Sequence, residues 1–355
     1  MSAVALNQNS NRKYYLDLLR IAATLGVMVL HITAQNWHQV EIASIEWQTF
    51  NALNGLARWA LPIFAMISGA LFLGREVKLK VLFSKYILRI VIAFMFWSAL
   101  YALIDLQNGM SLSKSVVQLI KGHYHMWYLM MIVGLYLIVP FLKQIAEKES
   151  LTKYFLGLSA LLTYLLPQLT ALLSVTGKQR YYSLLTTLTG NMEFHFTLGF
   201  SAYMLLGYYL DQKEFDRHRL KQIYLIGLLG LILSIVGNSL LDLAIKQRAG
   251  KFYHYFTINI FCVSAVVFLF FKYKVAARLQ NPKLLRLICA LSKYSFGAYL
   301  VHAMVLEHLK KWFGLQTLAF QPLAACLGLL VLVAVISFAI SAVLNAIPKL
   351  SRYIV

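Results

Sequence analysis

Ten apolar runs divide this chain, each near the twenty residues or so that a helix needs to cross a bilayer. They cover about 14–34, 55–74, 84–105, 125–143, 154–173, 194–210, 222–242, 255–272, 286–308 and 322–346. The sixth is short and bounded by polar residues. Backbone groups at membrane depth have to be paired inside the protein, which a helix does. The expected fold class is therefore all-α, a polytopic integral membrane protein with about ten transmembrane helices. Composition agrees: 60% of the 355 residues are hydrophobic and only 13% are charged. That is about half the charged share of a soluble domain.

The basic residues fix an orientation. They gather in the even-numbered gaps: Arg75, Lys78, Lys80, Lys85 and Arg89, then Lys143, Lys148 and Lys153, then Lys213, Arg217, Arg219 and Lys221, then Lys272, Lys274, Arg278, Lys283 and Arg286. Arg12, Lys13, Lys349 and Arg352 flank the first and last runs, while gap 35–54 holds Glu41 and Glu46 and no Lys or Arg. By the positive-inside rule both termini are cytoplasmic. The net charge of +20 does not argue for nucleic acid, because the cations punctuate apolar runs and form neither a tail nor a soluble patch. No gap is long enough for a soluble domain, no internal repeat is visible, and no cleavable signal pattern precedes the first run. Residues 1–355 read as one transmembrane domain with short cytoplasmic tails, 1–13 and 347–355. Cys262, Cys289 and Cys326 lie within apolar runs and read as small core residues, not as a disulfide or metal framework.

Three ionisable groups break the first run, YYLDLLRIAATLGVMVLHITA: Asp17, Arg20 and His31. An ionised group at membrane depth costs at least about 2.5 kcal/mol and marks a functional site by default. Arg20 and His31 are eleven residues apart, which is about three turns, so they leave the same face about 16 Å apart along the axis. Asp17 sits one turn before Arg20, in reach of a pair. The run goes from inside to outside, so Arg20 lies in the inner half and His31 toward the outer end.

Other runs add to this. In RWALPIFAMISGALFL, Arg58 falls near the outer end and Ser68-Gly69 in the inner half; Pro62 bends the helix and Gly69 admits a close neighbour. Ser68 suits helix packing and a ligand contact equally. Lys85 and Arg89 lie one turn apart at the inner end of the third run, as membrane anchors or as a phosphate clamp. The fourth opens HYHMWYL, with His123 and His125 at the outer end and Trp127 and Tyr128 at aromatic-belt depth. The ninth, LSKYSFGAYLVHAMVLEHL, carries His302 at a depth like that of His31. Depth alone does not bring the two helices together. Glu193, His195 and Asp242 are further outer-side candidates for acceptor contacts.

These stretches together resemble the acyltransferase-3 family of bacterial integral-membrane acyltransferases. The similarity runs through five motifs in order: Arg20 with His31; Arg58, Pro62, Phe64, Ser68 and Gly69; the basic entry Lys85 to Arg89; His125, Trp127, Tyr128 and Leu129; and Ser292, Ser295, Gly297, Tyr299, Leu300 and His302. The third is thinner than the usual doubled arginine. Standalone members similar to this chain modify surface polysaccharides, enterobacterial common antigen among them. The resemblance implies an O-acyltransferase of the bacterial inner membrane that moves an acyl group, acetyl above others, from cytoplasmic acyl-CoA. The acceptor would be a hydroxyl of an envelope glycan or lipid-linked sugar. It implies donor binding at Arg20, Lys85, Arg89 and Ser68, and acceptor-side or supporting roles for Asp17, Arg58, His125, Trp127, Tyr128 and His302. His31 would be the base or would carry the acyl group itself. Acyl-CoA is a substrate here; no permanent cofactor or metal is implied.

Two rivals differ in kind. The His-x4-Asp motif of glycerolipid acyltransferases is absent, His302 followed by Glu307 being the nearest approach. A transporter or flippase for a lipid-linked sugar explains intramembrane charge equally well, but such proteins often show repeated halves.

Overall fold

The apolar runs become long helices, and several of the polar residues inside them find partners on neighbouring helices. The computed structural model describes residues 12–191, 194–351 and 353–355. In chain order these form α1 (Tyr14–Ala34), α2 (Ile45–Ala57), α3 (Ala60–Phe72), α4 (Leu79–Gln107), α5 (Leu112–Lys121), α6 (Trp127–Leu137), α7 (Val139–Ala146) and α8 (Glu149–Val175). Then follow α9 (Gln179–Gly190), α10 (Phe194–Gln212), α11 (Arg217–Ile245), α12 (Ile258–Arg278), α13 (Pro282–Phe313) and α14 (Pro322–Ala346). Among the described residues every regular element is helical. The protein is an all-α polytopic membrane protein.

Among the described residues eight spans are long and apolar enough to cross a membrane, α2 and α3 together forming one of them, or nine if α6 and α7, bent by 59°, count as a further span. A count of ten needs α10 as well. That helix covers the short sixth run and kinks at Gly199, where ψ is −116°.

The centre of the bundle is α1 with α2 and α3. Two thirds of their apolar stretches are buried (67% each), against 22% for α11, so the latter faces outward. Helix α1 packs against α13, α2, α3 and α14. It meets α3 closely at Gly26, where a Cβ would press on the Ala60 methyl. Helices α3 and α10 are in closer contact still. A Cβ on Gly69 would collide with the Met204 carbonyl, and one on Gly207 with the Met66 backbone. The expected close approach at Gly69 is thus present, and its partner is α10.

The second span differs from the sequence reading. It runs over 28 residues, Ile45–Phe72, so Arg58 sits at its middle and not near its end. The helix is interrupted at Arg58 and Trp59, one turn before Pro62. Proline has no N–H for the carbonyl four residues back, which is that of Arg58. Hydropathy misses α2 because of Gln48, Asn51 and Asn54. The amides of the last two are paired: Asn51 Nδ2 donates to the Ile235 carbonyl (3.0 Å) and Asn54 Nδ2 to Thr33 Oγ1 (3.0 Å).

Candidate active site

On α1, the Arg20 end is tied down. Arg20 Nη1 donates to Ser292 Oγ on α13 at 3.0 Å and lies 3.6 Å from Asp17 Oδ1. Ser292 Oγ donates to that same carboxylate oxygen at 2.6 Å. Arg12 Nε donates to the other, Oδ2, at 2.8 Å. The expected Asp17–Arg20 pair is therefore present, with two further donors on Asp17. Net favourable or not, such a knot fixes the Arg20 guanidinium in one orientation.

That guanidinium borders a cavity of about 970 Å³, also lined by Ser68, Lys85, Arg89, Tyr128, Tyr136, Ser292 and Lys293. The volume is in the range of small-molecule sites. All four residues expected to bind the donor line this one cavity. Two have other bonds. Ser68 Oγ donates to the Phe64 carbonyl within its own helix (3.0 Å), the packing role, while still facing the cavity. Arg89 Nη2 donates to the Val355 carbonyl. Lys85 lies in a π-helical turn, Leu82–Ile87, and is exposed with its ammonium 5.6 Å from the Tyr86 ring centre.

The His31 end is built the other way. His31 stands in the last turn of α1 and faces a second, smaller cavity of about 170 Å³. Arg58, His125, Trp127, Asn54, Tyr255 and Tyr299 line it too. His302 closes in from α13, its ring centre 5.1 Å from that of His31 and 5.0 Å from that of His125. The two imidazoles at one depth do meet. His302 Nδ1 carries its hydrogen toward the Tyr299 carbonyl at 2.5 Å, which leaves Nε2 as a buried lone pair with no partner. No hydrogen bond to the His31 ring is found among the described residues.

His125 is better placed than its sequence position suggests. Residues 122–126 form a loop, and helix α6 begins only at Trp127. His125 is 1% exposed and His123 8%. The Nδ1 atoms of the two rings are 3.0 Å apart, and His125 Nε2 is 3.2 Å from the Leu300 carbonyl. Since a carbonyl only accepts, His125 Nε2 donates and its Nδ1 accepts from His123. His123 Nε2 in turn lies 3.3 Å from Glu307 Oε1. Nothing local in the sequence marks this pairing, because the partner of His123 is 184 positions on. The available signal was a second ionisable group, Glu307, at the matching end of another span.

Arg58 has no acidic partner among the described residues. Its Nε donates to Asn54 Oδ1 at 2.6 Å, and its guanidinium carbon lies 4.9 and 5.8 Å from the ring centres of Tyr253 and Tyr255. Trp127, 42% exposed, has Tyr255 and Phe200 beside it, each at 6.1 Å. Tyr128 instead turns to the larger cavity and packs on Phe64 and Tyr299. Asp242 lines neither cavity. It accepts from Asn238 Nδ2 and from the Ala249 N–H, both at 3.1 Å, and serves the α11 turn. Glu193 lies outside the described residues. No group of three or more His, Cys, Asp or Glu among the described residues has metal-holding geometry.

The model of the acyltransferase-3 family, described as an acyltransferase domain, matches residues 13–342. The chain belongs to the acyltransferase-3 family. No curated protein and no solved structure is matched. The matched region takes in every residue of the two cavities named above up to α14. This acyltransferase-3 protein is a multi-pass membrane acyltransferase, and the two cavities lie toward the two ends of α1.

Proposed function

We propose that this protein transfers an acyl group, acetyl foremost, from cytoplasmic acyl-CoA to a hydroxyl of a cell-envelope glycan or lipid-linked sugar. Its place is the bacterial inner membrane, with ten crossings and both termini cytoplasmic. The basic even-numbered gaps support that orientation. The observation that carries the reading is the pairing of one anchored cation and one unbonded imidazole on the same helix face, each opening on its own cavity.

Arg20, Lys85 and Arg89 supply positive charge for the donor's phosphates. The pantetheine arm extends along α1 from the Arg20 cavity to His31, and Arg58, Trp127, His125 and His302 receive the acceptor. His31 then takes the proton of the acceptor hydroxyl. The oxygen attacks the thioester carbonyl, a new O–C bond forms and the C–S bond breaks. The departing thiolate takes the proton back from His31, so the imidazole ends as it began. General base catalysis of this sort contributes about 10²–10⁴ in rate.

Purified protein given acetyl-CoA and a glycan acceptor should release free CoA in proportion to acceptor, with the label from the acetyl group found on the glycan. Label retained on the protein before acceptor is added would show instead an acyl-histidine route. Acceptor movement across vesicles without CoA release would overturn acyl transfer.

A further inference from the structure

Tyr299 is the residue common to the linings of both cavities. It stands on α13, is 5% exposed, and is held from three sides. Its hydroxyl donates to the His125 carbonyl at 2.5 Å. Its ring packs on Tyr128 (5.9 Å) and Phe64 (6.4 Å), which border the larger cavity. The same ring also meets His125 and His302, both at 5.7 Å, which belong to the imidazole cluster. Its backbone carbonyl takes the His302 hydrogen bond. A buried aromatic pinned at its tip and at its backbone is a wall and not a loose filler.

We infer that Tyr299 is the partition between the donor cavity and the His31 cavity, and that its ring sets the size of acyl group admitted to transfer. The inference rests on the acyl-transfer reading and adds a specificity-determining residue to it. The acyl group leads the pantetheine arm past this ring and comes to rest in the smaller cavity, whose volume is about 170 Å³. The ring narrows that space on the donor side, so a short acyl group fits and a longer one does not. Discrimination by a fixed apolar wall amounts to about 10–200-fold per methylene. Removing the ring joins the two cavities and adds its own volume to the acyl space.

The experiment compares kcat/KM for butyryl-CoA and acetyl-CoA, read as acceptor-dependent CoA release, in wild type and in Tyr299→Phe, Tyr299→Leu and Tyr299→Ala. Wild type should favour acetyl. Tyr299→Phe keeps the ring and should hold the ratio within about threefold. Tyr299→Leu and Tyr299→Ala should raise the butyryl share by at least about tenfold, the low end of one methylene's worth. Leucine fills the site with apolar volume, so the measurement stands even if the alanine protein does not fold. An unchanged ratio in an active Leu variant overturns the partition and leaves acyl transfer intact. Loss of all turnover in folded Leu and Ala proteins also overturns it, because a wall is not needed for the chemistry. No CoA release by wild type with either donor overturns the acyl-transfer reading, and the partition with it.

Discussion

The two ends of α1 contrast in how their polar groups are held. Around Arg20 the charges are tied together: Asp17 accepts from Arg12 and Ser292 and forms an ion pair with Arg20. Around His31 two imidazoles are left open while Arg58 and His125 beside them are bonded: the His31 ring has no hydrogen bond among the described residues, and His302 keeps an unpaired Nε2. A buried polar atom without a partner costs about 1–3 kcal/mol, and folds keep few of them. A group meant to hold a charged ligand gains from being fixed beforehand, whereas a group meant to take up a proton needs an open lone pair. The difference supports the proposed division, with binding at the Arg20 end and chemistry at the His31 end.

The contrast breaks most visibly at His31. Replacing His31 by Gln keeps hydrogen bonding but offers no site for a proton near neutral pH. Turnover should fall about 10²–10⁴-fold, measured as CoA release on protein of normal abundance. Next comes the Asp17 knot. Asp17→Asn leaves two guanidiniums without their anion. The loss should be about 3 kcal/mol, at the low end for a buried pair because both partners are about one-third exposed at the side chain. A thermal melt in detergent reads it, and an unchanged midpoint would make the knot ornamental. Arg20→Lys should act less strongly: the charge stays, the planar fork is lost, and the KM for acyl-CoA should rise about tenfold with little change in kcat. If kcat falls and KM does not, the two ends are not separate in function.

Much of this was legible in the sequence. Helix α1 has the bounds its apolar run gave, Tyr14–Ala34, because two of its three ionisable groups are a turn apart and the third is in the last turn. The register of Arg20 and His31 needed only helical periodicity. The depth of Arg58 was not legible. Asn51 and Asn54 look like a loop until Ile235 and Thr33 are seen opposite them. The pairing within the His123–His125 loop was not legible for a related reason. Its partners, Leu300 and Glu307, come from α13, and no local pattern announces a pairing across so much chain. Nor could sequence show that Tyr299 borders both cavities.

The smallest expected effect concerns pH and the loop that flanks the His31 side. His254 lies in the loop between α11 and α12. Partial desolvation, with the nearby Arg58 charge second, holds the pKa of this surface-exposed histidine below the usual value. A histidine so depressed is neutral in the folded protein, while the unfolded chain takes up the proton. Its contribution to stability is therefore present above the unfolded pKa of about 6.5 and is lost as pH falls through the folded value. The melting midpoint should drop on acidification below about pH 6.5, and His254→Gln should flatten that drop. An equal drop in the variant would assign the acid sensitivity elsewhere.

The division of labour along α1 is tested most directly by one titration: acyl-CoA binding to purified His31→Gln, followed by calorimetry, beside Arg20→Ala. The expected result is wild-type affinity in the His31 variant, which has no turnover, and weakened affinity in the folded Arg20 variant. Affinity lost at His31 and kept at Arg20 would contradict the assignment of binding to one end of the helix and chemistry to the other.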